Sequence, residues 1–489
     1  MKKGSGILLH ISSLPGKYGI GSFGNEARRF VKYLFLAGQS YWQILPLNPT
    51  GYKDSPYQSC ASFALNPYFI DLDLLRKKQY LTKEEIEEHT KKSGNQIDFG
   101  YLYNHRNPLL RIAAFRAFHA ERPQILRYLK KEKRWLEDTA LFMMLKDKNQ
   151  QKPWYQWEVK EEQNHDKKYL EQYKNEHFDE FYTYVTIQYL AEQQYRKLKK
   201  YANKKGIKII GDLPIYVSLD SCDVWANKKE FLMDRRNEPT LVAGVPPDYF
   251  SENGQLWGNP IYNYERMKKN HFRFFTRRFK RASSLYDVIR VDHFRGFSSY
   301  WGVPAHSETA KNGAWYVGPG KDLIDQIKTI KNVEIIAEDL GDLSKDVYDL
   351  MEYSNFPGLK IVLFGLGGDW NHPYLPENYI ENCVGYIGTH DNETMKAYIA
   401  QHENQWPWMR DYFHVETKEE VLPVAVQKLF ASQANVVLLR MQDLLDFGDE
   451  ARLNTPGTEE GNWTHRFSKK DFKRETAIQL YHWTKENGR

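Results

Sequence analysis

The stretch DVIRVDHFRG, Asp287 to Gly296, places a charge inside an apolar run and ends the run on an ionisable pair. Val288, Ile289 and Val291 are β-branched, so the run reads as a short strand. Arg290 stands two residues before Asp292 and therefore on the same side of the pleat. A charge buried in such a strand is expensive unless it is paired. A parallel barrel shows this pattern where side chains project into its mouth. By itself the stretch fits a structural Arg–Asp bridge closing a strand equally well, so the fold is decided by what recurs elsewhere.

Seven other apolar runs end near a turn or a polar residue: Gly6 to His10, Tyr41 to Leu45, Ile207 to Leu213, Val333 to Glu338, Leu359 to Phe364, Val384 to Thr389 and Asn435 to Leu439. With Val288 to Asp292 they make eight buried strands, the count of a (β/α)8 barrel. Helical patterns fall between them. Ala27, Phe30, Val31, Leu34 and Phe35 follow the i, i+3, i+4, i+7, i+8 rule with Gly38 as a stop. Phe178, Phe181, Tyr182, Val185 and Tyr189 do the same before Gly206. A doubly wound open sheet alternates in this way too; the strand count and the polar strand ends favour the barrel.

Spacing locates the insertions. Roughly 160 residues separate the second run from the third and about 75 the third from the fourth, far more than a crossover helix needs. The expectation is one catalytic α/β barrel over residues 1–489. A mainly helical subdomain is inserted at 46–206, after strand 2, and an active-site loop region at 213–286, after strand 3. Within the latter, Phe231 to Gly258 is rich in Gly, Pro, Asn and Asp and reads as a long loop.

Composition excludes several classes. A net charge of +6 from 69 basic and 63 acidic residues implies no nucleic-acid partner. The basic cluster Arg266 to Arg281, with Phe272, Phe275 and Phe279 at helical spacing, reads as the solvated face of a surface helix. Nothing has the length of a membrane span. Three distant cysteines, Cys60, Cys222 and Cys383, fit a reducing, cytoplasmic setting without disulfides or structural zinc. The 13 Trp, 33 Tyr and 26 Phe exceed what a core needs and suit stacking on sugar rings.

Three carboxylates end candidate strands: Asp292, Glu338 and, just past the seventh, Asp391. In a parallel barrel they converge at the C-terminal face, where like charges push one another's pKa values apart. Glycosidic cleavage needs such a pair, one carboxyl as acid and one as anion. Separate helix caps or salt bridges are the plain alternative for each; three together, with Arg290, His293 and His390 beside them, favour catalysis. His390-Asp391-Asn392 and Glu338-Asp339 lack metal-loop spacing, so no metal is expected. Without a GxGxxG or Walker sequence no nucleotide cofactor is expected either.

These residues sit in motifs that resemble the 4-alpha-glucanotransferases, the amylomaltase or disproportionating-enzyme family of the alpha-amylase clan. The likeness runs through GILLHISSLPGKYGIGSFG (Gly6–Gly24), WQILPLNPTGYKDSPYQS (Trp42–Ser59), GDLPIYV (Gly211–Val217) and GVPPDYFSENGQLWGNPIY (Gly244–Tyr262). It continues through RVDHFRG (Arg290–Gly296), AEDLG (Ala337–Gly341), GTHDNET (Gly388–Thr394) and LNTPGTEEGNW (Leu453–Trp463). The resemblance implies transfer of α-1,4-glucan segments among maltooligosaccharides without a cofactor. It implies Asp292 as nucleophile, Glu338 as general acid/base and Asp391 as the carboxylate steadying the distorted sugar. Arg290 would keep Asp292 charged, and His293 and His390 would bind hydroxyls at the cleavage point. Asp248 and Trp257 would lie on a covering loop, Tyr52 and Tyr57 along the glucan path, and Asn462 and Asp369 at further sugar contacts. The chain departs from the family pattern at Asn48 and Lys53, where Gly is common, at Phe99 for Tyr, and at His465 for an aromatic. These bear on chain-length preference, and oligomeric state stays open.

Overall fold

Eight short parallel strands drawn from the whole length of the chain build the barrel. The computed structural model describes the chain except residues 91–93, 248–250, 342 and 459 and the side chain of residue 52. Among the described residues the strands are β1 (Gly4–Leu8), β2 (Tyr41–Gln43), β3 (Lys208–Pro214), β4 (Leu241–Val245), β5 (Gln255–Pro260) and β6 (Val288–Asp292). They continue as β7 (Ser299–Pro304), β8 (Ala314–Val317), β9 (Glu334–Ala337), β10 (Gly358–Ile361), β11 (Cys383–Tyr386) and β12 (Val436–Arg440). Eight form one parallel sheet in the order β10-β11-β12-β1-β2-β3-β6-β9. The Ala337 N–H donates to the Pro357 carbonyl at 2.9 Å, so the sheet nearly closes on itself. Every apolar run picked from the sequence overlaps one of these strands.

Strands covered on both faces explain why the runs are continuous rather than alternating: β1, β11 and β12 are buried at every position. Close packing at the barrel wall requires glycine at Gly211, where an added Cβ would lie 2.1 Å from the Tyr286 ring. Gly211→Ala is expected to destabilise the fold by about 1–3 kcal/mol through overpacking, read as a lower urea midpoint with an unchanged slope.

The first helical pattern is the helix Asn25–Leu36, with Gly38 at φ +71° after its end. Ala27, Phe30, Val31 and Leu34 face the core, but Phe35 is exposed and lies beneath the Lys205 ammonium. The second is the helix Phe178–Lys204, which leads into β3. Between β2 and β3 the chain is mostly helical, dominated by Phe99–Lys148. That helix breaks at Glu121 (φ −121°), two residues before Pro123, whose ring cannot continue a helix undisturbed. The Glu121 carboxylate accepts from Lys78 at 2.5 Å, Tyr189 at 2.5 Å, Gln193 at 3.1 Å and also Tyr80, which fixes the bend.

Two expectations are corrected. The stretch Phe231 to Gly258 contains β4 and most of β5, which with β7 and β8 form an antiparallel sheet in the order β5-β4-β7-β8. Its turn-rich composition hid strands held by pairing of β4 with both β5 and β7. The basic cluster is not a wholly solvated face either. In the helix Arg273–Leu285, Arg278 and Arg281 are buried. Arg278 donates to the Pro214 and Ile215 carbonyls at 2.5 and 2.8 Å, and Arg281 grips Glu192 with bonds of 3.0 and 2.7 Å. A guanidinium is buried readily when its fork meets a carboxylate or carbonyls. Among the described residues no helix is long and apolar enough to cross a membrane.

Candidate active site

Arg290 is the centre of the site. It is 2% exposed and projects from β6 into the barrel, where it meets three carboxylates. Its Nη1 lies 2.6 Å from Asp212 Oδ2 and 3.1 Å from Asp292 Oδ1, and its Nη2 lies 2.9 Å from Glu338 Oε2. Asp212 comes from β3, whose residues Asp212 and Pro214 stand beside Arg290 and Asp292 in parallel register. Glu338 follows β9. Burial opposes the Arg290 charge, but Asp212 and then Glu338 outweigh it and hold the guanidinium firmly protonated.

His293 bends the chain at the strand end. Its backbone is left-handed (φ +54°), a conformation non-glycine residues adopt at a cost. Its N–H thereby donates to Glu338 Oε2 at 2.7 Å. Burial drives the Asp292 carboxyl well above its ordinary pKa, and the neighbouring Glu338 charge pushes the same way against Arg290. Burial raises Glu338 too, yet Arg290 and the His293 N–H outweigh it and leave that carboxyl below its ordinary value. Both carboxyls are held on the one guanidinium of Arg290. Burial lowers the His293 imidazole to about 4, so it is neutral near pH 7; burial lowers His390 as well.

Asp391 stands on a separate platform. His390 Nε2 is 3.2 Å from Asp391 Oδ2, and Asn454 Nδ2 donates to Asp391 Oδ1 at 2.6 Å. Arg452 Nη2 donates to the Asp391 carbonyl at 2.7 Å. Beneath this loop, Arg440 at the end of β12 donates to the carbonyls of Thr389, Asn392 and Glu393 at 2.8, 2.7 and 2.9 Å. Gly388 leaves room for that guanidinium, which an added Cβ would approach to 2.6 Å. The Tyr57 ring stacks on His390 at 5.2 Å and 10°, while its hydroxyl donates to Asp212 Oδ2 at 2.8 Å. Tyr57 thus ties the Arg290 cluster to the Asp391 platform.

On the opposite side Trp257, from β5, sets its ring edge-on to His293 at 4.8 Å and 86°. The antiparallel sheet therefore reaches the site through one indole. Asp369 lies exposed on the loop after β10, its carboxylate accepting from the Asn371 N–H at 3.0 Å. Asn462 spends its amide on its own loop, accepting from Thr455 N–H at 2.9 Å and donating to Thr458. Asp248 and the Tyr52 side chain lie outside the described residues. Lys53 and Asp54 are both left-handed, at φ +52° and +58°, which is why glycine suits that turn. Among the described residues no group of three or more His, Cys, Asp and Glu is arranged to hold a metal.

Sequence reasoning did not single out Asp212, Asn454, Arg452, Arg440 or Trp463, whose ring lies 6.0 Å from His390. Asp212 carried a usable signal: like Arg290, it is a charge within an apolar run, here IIGDLP. Arg440 carried a similar one, a buried charge closing the apolar run VVLLR, whereas Asn454, Arg452 and Trp463 lie in irregular chain and have no local signature.

The family model described as 4-alpha-glucanotransferase matches residues 9–471. The chain belongs to the 4-alpha-glucanotransferase family. It is 43% identical to the 4-alpha-glucanotransferase of Clostridium butyricum over 98% of this chain and all of that one. It is 40% identical to the Thermus thermophilus 4-alpha-glucanotransferase over 97% of both. Among solved structures, the amylomaltase from Streptococcus agalactiae in complex with acarbose superposes with a TM-score of 0.96, at 37% identity and full coverage of both chains. The amylomaltase from Corynebacterium glutamicum shares the fold at 18% identity, with a TM-score of 0.73 over all of this chain and 75% of that one. The 4-alpha-glucanotransferase fold is thus a parallel barrel whose mouth carries the Arg290 cluster and the Asp391 platform.

Proposed function

We propose that this 4-alpha-glucanotransferase uses Asp292 as nucleophile, Glu338 as general acid and then base, and Asp391 to grip hydroxyls of the sugar being cleaved. The observation that carries this reading is that the single Arg290 guanidinium bonds both carboxyls, Asp292 at 3.1 Å and Glu338 at 2.9 Å. Retaining enzymes hold their carboxyls only about 5–5.5 Å apart, whereas inverting enzymes leave room for a water between them. Two carboxyls on one guanidinium fit the first geometry.

The reaction starts with a glucan in the pocket, Asp292 ionised and Glu338 protonated. Glu338 gives the proton to the glycosidic oxygen as the Asp292 carboxylate bonds to the anomeric carbon and the C–O bond breaks. The leaving chain departs with a free 4-hydroxyl. A second glucan then attacks the anomeric carbon with its own 4-hydroxyl, yields the proton to Glu338 and releases Asp292. Arg290 stabilises the carboxylate form at each stage. Neutral His293 and His390 hydrogen-bond sugar hydroxyls without adding charge.

Transfer prevails over hydrolysis when water is kept out and acceptor sugar is held. Trp257 walls the pocket at His293, and Tyr57 with Trp463 walls it at His390. Asp248, Tyr52, Asp369 and Asn462 belong to the outer glucan path in this reading. The inserted segments 46–206 and 213–286 of the single barrel supply Tyr57 and Trp257, and the chain beyond β12 supplies Trp463. The substrates are maltooligosaccharides and longer α-1,4-glucans, and the three free cysteines fit work in the cytoplasm.

Incubation with maltotriose alone tests the reading. Glucose together with a ladder of longer maltosaccharides is expected on chromatography. Glucose and maltose without longer products would mean that water is the acceptor, and no turnover on any α-1,4-glucan would overturn the reading.

A further inference from the structure

We propose that Trp370 and Trp408, on the rim of the barrel mouth, form a distal platform on which an α-1,4-glucan engaged in the active site lays its outer sugars. The inference rests on the function proposed above but concerns residues outside the reacting centre. Trp370 is 53% exposed, an unusual place for the side chain with the largest apolar surface. It is also held still. The Asn378 amide donates to the Trp370 and His372 carbonyls, both at 3.0 Å, and pins the loop. The indole meets Trp408 edge-on at 6.5 Å and 73°, and Tyr412 at 5.8 Å and 83°. Trp408 stacks on Tyr412 at 4.8 Å and donates its indole N–H to the Gly368 carbonyl at 2.8 Å.

A fixed, half-solvated indole is preorganised for stacking, because little freedom remains to be lost on binding. The chemistry around it suits a pyranose. The ring offers an apolar face for sugar C–H groups, and the exposed Asp369 and Asn371 beside it offer a carboxylate and an amide for hydroxyls. The platform is continuous with the reaction centre. Its loop leaves the end of β10, which lies beside β9 and the Glu338 that follows it, where the Ala337 N–H meets the Pro357 carbonyl at 2.9 Å. The same loop carries Tyr374 in contact with Phe364, whose ring is 45% exposed. A loop set with aromatic rings thus leaves the barrel mouth beside Glu338, and a polymer chain held at Glu338 fits it better than a separate small ligand.

Trp370→Ala and Trp370→Phe, each checked for unchanged thermal unfolding, test this. Native electrophoresis through gels containing amylose is expected to retard the wild type and Trp370→Phe but to leave Trp370→Ala unretarded. In Trp370→Ala, KM for amylose is expected to rise about 5- to 10-fold, with kcat on maltotriose within about twofold of the wild type. Equal retardation of wild type and Trp370→Ala overturns the proposal, as does an equal loss on short and long glucans. A change of oligomeric state on size exclusion in Trp370→Ala overturns it too, assigning the patch to self-association. The gel measurement needs no turnover, so failure of the maltotriose ladder would strike the catalytic reading and leave this one to be decided separately.

Discussion

Glu338→Gln is expected to lower kcat for maltotriose disproportionation by about 10²- to 10⁴-fold, the range for removing a general acid/base. The amide keeps the shape and can still accept from His293 N–H and Arg290, which lie 2.7 and 2.9 Å from Oε2, but it carries no transferable proton. The pH profile provides a second readout. In the wild type the acid limb follows protonation of the nucleophile, and the alkaline limb follows loss of the pair's single proton. The pair titrates as a unit. In Glu338→Gln the alkaline limb should vanish. The acid limb should stay near its wild-type position, because Asp292 ionises there beside a protonated, neutral Glu338, and the amide is neutral too. A variant within tenfold of the wild type, or one that keeps its alkaline limb, would remove Glu338 from the chemistry.

Arg290→Met should destabilise the fold by about 3–5 kcal/mol near neutral pH, the cost of leaving buried charges without a partner. The side chain is 2% exposed and serves Asp212, Asp292 and Glu338 together. The loss should depend on pH in a definite direction. Without Arg290 the three carboxyls are raised above their unfolded values. Stability is then fully present below the ordinary carboxylate pKa and lost as pH rises through the folded values. Urea midpoints of variant and wild type should converge in acid and separate toward neutrality. A constant difference across pH would show that the guanidinium acts by packing rather than by charge.

The barrel was legible because both-face burial writes each strand as an unbroken apolar run, and Arg290 was legible because a charge breaks one of those runs. The three carboxylates could be named from their positions at strand ends. The sheet β5-β4-β7-β8 was not legible: Gly244, Pro246 and Asn253 are turn residues by composition, and pairing with β5 and β7 makes Leu241–Val245 a strand. Arg278 and Arg281 read as solvent-facing because their carbonyl and Glu192 partners lie far away in sequence. The supports of Asp391 escaped for the same reason. Asn454 and Arg452 reach it from beyond β12, and a bond across 63 residues leaves no local pattern.

The placement of β12 between β11 and β1 has a consequence for synthesis. β1 pairs on one side with β2, but its other edge waits for β12, since Gly4 is the partner of Val436. At ribosomal rates of about 5–20 residues per second, that edge stays open for roughly 20–90 s after β1 emerges. A nascent chain must therefore shield an apolar strand edge for most of its translation, and no truncated product can close the barrel or bring Asn454 to Asp391. The Asp391 platform forms only after residues beyond β12 are made, because Arg452 and Asn454 both reach it from there.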